Sequence, residues 1–206
     1  LSLSACSTAH IDDYAGVQPT LSLRDYFNRT VHAWGQVQDR SGKVIKRFKV
    51  TLVGVWQGDK GVLTEDFVYA DGTKQQRIWR LTDLGQGRYE GRADDVVGHA
   101  EGVTQGNALQ WRYTLLLPVD GKTYEVAFND WMYLHDPQTL VNRAKISKFG
   151  IHLADITLFF MQVKTALNLF EAITMAKCSF CSSSIETGTG NTIIQKTGKI
   201  SYFCSS

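Results

Sequence analysis

Four charged side chains interrupt otherwise apolar faces of this sequence, and they are the residues best placed to do chemistry. Read with a period of two, Glu65 shares a face with Phe67 and Tyr69, and Arg77 shares one with Trp79 and Leu81. Asp130 follows Tyr124, Val126 and Phe128 in the same parity, while Arg143 falls in step with Val141 and Lys145, less clearly inward. A buried charge is costly unless it is paired. These groups therefore predict an arginine–carboxylate network inside a sheet-walled interior. The network has two readings. It fixes register and closes the wall, or it anchors the polar end of a ligand in a pocket walled by Trp56, Trp79, Trp111, Tyr113 and Phe128. An open interior with Arg77 or Asp130 unpaired favours the second reading; an interior filled by aromatics removes it.

The segments that carry these residues read as strands. Phe48, Val50, Leu52, Gly54 and Trp56 alternate with Arg47, Lys49 and Thr51, and Trp111, Tyr113, Leu115 and Leu117 alternate with Gln110, Arg112 and Thr114. One apolar and one polar face per strand predicts a half-buried antiparallel sheet. Turn signals such as Asp39-Arg40-Ser41-Gly42-Lys43, Asp71-Gly72, Gly106-Asn107 and Asp120-Gly121 recur about every 12 to 18 residues between His32 and Phe160. Asp-Gly pairs suit tight hairpin turns that need positive φ. Nine or ten hairpin-linked strands without a helical interlude are expected, and a meander of that length closes to remove its edges. The fold class expected is all-β, an up-and-down lipocalin-like barrel, with a flattened sandwich second. Leu21, Leu23, Tyr26 and Phe27 predict one or two helical turns with Ser22 as N-cap. Residues 7–20 read as a loose tether.

Other chemistry finds little support. The chain has 206 residues and a formal net charge of +2, which argues against a nucleic-acid surface over the main body. It has no apolar run of transmembrane length. Its five histidines lie far apart without metal-ligand spacing, and there is no phosphate loop, dinucleotide fingerprint or nucleophile elbow. Asp94-Asp95 is the best carboxylate pair, but neighbours on a strand point to opposite faces and cannot act jointly as acid and base; a turn leading into Val96-Val97-Gly98 is the favoured reading. An enzyme acting on envelope lipids or glycans is the weakest function class.

The cysteines sit at the two ends. Leu3-Ser4-Ala5-Cys6 resembles the lipobox of a bacterial lipoprotein, which implies cleavage before Cys6 and a diacylglycerol on its sulfur. Ser7 in place of Asp fits sorting to the outer membrane. A larger resemblance covers residues 3–160. Trp34-Gly35, Gln38 to Gly42, Glu65-Asp66-Phe67, Gly91 to Gly98, Gly106 to Leu109, Asp130 to Leu134, Asn142-Arg143 and Lys148-Phe149-Gly150, occurring in that order, are similar to an uncharacterised bacterial lipoprotein family labelled domain of unknown function 3833. The resemblance implies a lipid-anchored protein on the periplasmic face of the outer membrane and no particular activity or cofactor. The function expected is binding of a hydrophobic small molecule or lipid, with a structural or protein-interaction module of the envelope as the rival.

After Phe160 the composition changes. Residues 161–174 read as a linker or short helix. Lys177-Cys178-Ser179-Phe180-Cys181, a Gly-Thr-Gly turn at Gly188, a second turn at Thr197-Gly198 and then Cys204 follow the spacing of a zinc ribbon. Residues 175–206 resemble the start of the archaeal and eukaryotic large-subunit ribosomal protein twenty-four, which implies ribosomal RNA binding and one structural zinc. Cys178, Cys181 and Cys204 supply three thiolates where a closed site takes four ligands. Zinc is expected only if they stay reduced, which an oxidising envelope opposes. This stretch is therefore expected to be a foreign fusion on a barrel spanning residues 21–160.

Overall fold

The computed structural model describes residues 8–163 and the backbone of two short strands beyond them. The chain divides into two units after Val163. The first is a closed ten-stranded antiparallel barrel. Its strands are β1 (Thr30–Asp39), β2 (Val44–Gln57), β3 (Lys60–Tyr69), β4 (Lys74–Gly85), β5 (Arg88–Arg92), β6 (Ala100–Gln105), β7 (Ala108–Val119), β8 (Lys122–Leu134), β9 (Thr139–Lys148) and β10 (Ile151–Gln162). Each pairs with the next, and β1 pairs with β10 from Val31↔Gln162 to Asp39↔Ala154, so the sheet closes on itself. β10 runs two residues past Phe160, into what the sequence reads as linker. In the second unit, β11 (Gly190–Ile194) and β12 (Ile200–Cys204) form an antiparallel hairpin.

Alternation places the core as expected. Phe48, Val50, Leu52, Gly54 and Trp56 of β2 are buried, and the residues that alternate with them are exposed or half-buried. The two ends of the barrel differ. One is stoppered by α1 (Leu23–Phe27), where Ser22 Oγ accepts from Asp25 N–H at 3.2 Å and Leu23, Tyr26 and Phe27 are buried. The Tyr26 hydroxyl donates to the Gln138 carbonyl at 2.9 Å, and the Phe27 ring meets Phe160 edge-on at 5.8 Å.

The stopper seats on Gly54. A Cβ there would lie 1.8 Å from the Phe27 carbonyl oxygen, a backbone atom that no rotamer change can move. Gly54→Ala should therefore lift α1 off the barrel and cost about 2 kcal/mol, in the range of overpacked cores. A urea midpoint unchanged from wild type would show that α1 contributes nothing to closure.

Residues 8–20 depart from the expected tether. Ile11–Tyr14 forms a 3-10 turn. The Tyr14 ring lies 5.8 Å from Trp131 and 5.4 Å from Tyr133 on the outer face of β8, and Leu21 N–H donates to the Gly106 carbonyl at 2.8 Å. Three aromatic rings outside the barrel bury one another there, so the chain is fastened from His10 onward, at the stoppered end.

Candidate functional site

Strands β5 and β6 are short, and their shortness creates the site. β4 pairs with β3 along its length but with β5 only from Arg80 onward. Likewise β7 pairs with β6 only as far as Arg112. Above these points the ladder between β4 and β7 is missing. The β5–β6 connection fills the gap: Val97 N–H donates to the Thr114 carbonyl at 2.9 Å, and Leu116 N–H donates to the Asp95 carbonyl at 2.8 Å.

Asp95 then reaches Arg77 on β4. Arg77 Nη2 lies 2.8 Å from Asp95 Oδ2, and Nε donates to the same carboxylate at 2.9 and 3.2 Å. The bidentate geometry is that of a strong charge-assisted pair. Outside the wall, Arg80 Nη1 meets Asp94 Oδ1 at 3.2 Å. Asp94-Asp95 is thus a turn, as its sequence suggests, and its two carboxylates lace the seam from opposite sides.

Inside, Glu65 Oε2 lies 3.9 Å from Arg77 Nη1. The Arg77 guanidinium also stands 5.8 Å from the Phe67 ring. Burial disfavours the Arg77 cation, but Glu65, Tyr113 and Asp95 outweigh it and hold its pKa above the ordinary value. Burial pushes the Glu65 carboxyl up to about 6, against the pull of Arg77 and Trp79.

Asp130 is the group left over. It is 6 % exposed, and its Oδ1 has no hydrogen-bond partner among the described residues. Burial first, and the Glu65 charge second, push its carboxyl up to about 7, despite Arg77 and Asn142. Three acids, Glu65, Asp95 and Asp130, thus face one base. Burial also raises the Tyr113 phenol well above its usual range.

These groups line a cavity of about 520 Å³ in the barrel, a size suited to a small organic molecule. Trp79, Trp111, Tyr113 and Phe128 all line it. Trp79 meets Trp111 edge-on at 5.7 Å and Tyr113 at 5.4 Å, and Tyr113 stacks on Phe128 at 4.9 Å. Such contacts fix the rings against one another in the cavity wall. Trp56 is buried toward the stoppered end, against Gly61, and is not part of the cavity wall.

Arg143 corrects the expectation drawn from parity. Leu140, Asn142, Ala144 and Ile146 are the buried residues of β9, so Arg143 lies on the exposed outer face. The inward polar residue is its neighbour Asn142, whose Oδ1 is also unpartnered among the described residues. Asn142 and Asp95 are the two site residues that the sequence reading missed. Cys6, Cys178 and Cys181 lie outside the described residues; Cys204 ends β12, with only its backbone described.

The sequence model of a family described as "Protein of unknown function (DUF3833)" matches residues 1–162. Among solved structures, the S-type phycobiliprotein lyase CPES from Guillardia theta is similar in fold, with a TM-score of 0.52 at 7 % identity over 70 % of this chain and 94 % of that one. At that identity the likeness is one of architecture, a lipocalin-like barrel.

Proposed function

This chain belongs to that DUF3833 family, and we propose that its barrel binds a hydrophobic small molecule or lipid whose polar end donates a hydrogen bond, as an amine or hydroxyl, to Asp130. The observation that carries the reading is the unpartnered Oδ1 of the Asp130 carboxyl in a largely apolar cavity. A group left in that state costs stability, and a ligand donor removes the cost. Arg77 is not the anchor, because Asp95 already occupies its fork. The pair is the structural part of the network and Asp130 the binding part. Aromatic walls suit a ring or chain that fills the cavity, and the three acids outnumber the lining cations Arg77 and Lys46, which disfavours an anionic head group beside Asp130.

In this reading the protein sits in the cell envelope, on the periplasmic face of the outer membrane, held by acyl chains on Cys6. The Leu3-Ser4-Ala5-Cys6 motif supports this. Three acyl chains, at about 0.8 kcal/mol per buried methylene, make such attachment effectively permanent. For residues 175–206, the β11–β12 hairpin supports reading them as a partial zinc ribbon on a foreign fusion, an incomplete site in which Cys178, Cys181 and Cys204 would hold zinc weakly and only under reducing conditions; ribosomal RNA binding would belong to the family this segment resembles.

Native mass spectrometry of the full chain, extracted from membranes in mild detergent, reads both parts at once. The expected spectrum shows a co-purifying apolar molecule bearing an amine or hydroxyl, and an acyl mass on Cys6. A barrel that is always empty and takes up neither a long-chain amine nor a long-chain alcohol would sink the ligand reading. An unmodified Cys6 would sink the anchor alone.

A further inference from the structure

We infer that the rim around the open end of the barrel is a docking surface for an anionic phospholipid bilayer. The open end is opposite α1 and carries the β1–β2, β3–β4, β7–β8 and β9–β10 hairpins. At the tip of the last stands Phe149, 92 % exposed. Its φ is +51° and that of Gly150 is +77°, so the pair forms the two central positions of a tight hairpin turn that favours Asn-Gly. A bulky residue in the left-handed region is strained, and here the strained ring meets the Lys148 ammonium, 5.3 Å away, and otherwise faces outward, which points to function.

Phe149 has apolar company. Ile151 on the same hairpin is 59 % exposed and Ile45 is 58 % exposed. Val44 and Val119 are exposed as well. Because β10 pairs with both β1 and β9, and β9 pairs with β8, these three hairpins are neighbours on the rim.

The charge around them is positive. Residues 39–46, 119–122 and 148–151 carry Arg40, Lys43, Lys46, Lys122 and Lys148 against Asp39 and Asp120. Asp39 is engaged within its own turn, accepting from Ser41 and Lys43. Apolar tips set among lysines match a bilayer interface, where rings and aliphatic side chains enter the acyl boundary and ammonium groups reach anionic phosphates. The exposed apolar residues sit on three separate hairpins, an arrangement that suits a deformable surface. The chain that leads back to Cys6 leaves from the stoppered end, where Tyr14 is fastened, so the rim would meet a bilayer other than the one holding the acyl chains and open the cavity toward its lipid; the docking itself does not depend on what the cavity holds.

The test uses the full chain with Cys6→Ser, so that acylation cannot bind it to vesicles. Co-sedimentation is measured with phosphatidylcholine vesicles and with vesicles that also contain phosphatidylglycerol. The expected result is binding to the anionic vesicles that weakens with salt. Phe149→Asn should lower that binding about tenfold, as expected when a ring leaves the acyl boundary. Asn suits the turn better than Phe, so the variant should unfold at the same or a higher temperature. Val62→Ser, on the outer wall away from the rim, should change nothing. Equal binding by wild type and Phe149→Asn overturns the inference, as does failure to bind anionic vesicles. So does a Phe149-dependent dimer in size-exclusion chromatography without vesicle binding, which would make the occupant a second copy. Uptake of a long-chain amine by Phe149→Asn should stay at the wild-type level, which separates this test from that of the cavity.

Discussion

Asp130→Asn is expected to stabilise the barrel by about 3 kcal/mol at pH 8 while it weakens binding of an amine-bearing ligand. Burial, aided by the Glu65 charge, lifts the carboxyl from its ordinary value of 3.8 to about 7. A shift of that size corresponds to about 4 kcal/mol of preference for the protonated form; Asn keeps the shape but needs a partner for its amide, which offsets part of the gain. The pH dependence follows in sign. A carboxyl whose folded pKa is raised binds its proton more tightly in the native state. Its contribution is complete below the unfolded pKa, near 4, and is lost as the pH rises through about 7. Glu65, raised to about 6, acts in the same direction. Wild-type stability in urea should therefore fall between about pH 4 and pH 8, and Asp130→Asn should remove the larger part of that fall. A midpoint that is flat with pH in the wild type, or lower in the variant at pH 8, would refute the account. A site that costs stability and gains it back through a ligand is the trade expected of a binding group.

The faces of the strands were legible because a sheet has a strict period of two. Glu65, Arg77 and Asp130 stood out as charges in apolar series, and all three do line the cavity. The hairpin order followed from the turn residues, and closure followed from the number of strands. What sequence did not show is which residues meet across a missing ladder. Asp95 lies in a turn and reads as a turn residue; its partner is on β4, and only the shortness of β5 and β6 brings the two together. Asn142 carries no charge, so it made no mark on an apolar face, while the charge on Arg143 drew attention to the wrong parity. The fastening of Tyr14 was hidden for a similar reason, because Trp131 and Tyr133 put aromatics on a face expected to be polar.

Arg77→Met should have the opposite and larger effect, a loss of about 4 kcal/mol at pH 8, in the range for breaking a buried ion pair by removing one partner. Two costs combine. Glu65, Asp95 and Asp130 lose the one cation among them, and the seam between β4 and β7 loses the contact that spans it. The Arg77 charge lowers the pKa of both Glu65 and Asp130, so its removal drives both further toward the protonated form. The cost should therefore shrink on acidification, as those protons neutralise the repulsion. The double variant Arg77→Met/Asp95→Leu removes both halves of the pair and should be more stable than Arg77→Met alone, since apolar residues of similar volume tolerate such a site where a lone charge does not. Urea unfolding of the two single variants and the double gives the coupling directly. Additive losses would mean that the two residues act separately, and that closure of the barrel wall above β5 and β6 rests on the backbone hydrogen bonds of Asp95 and Val97.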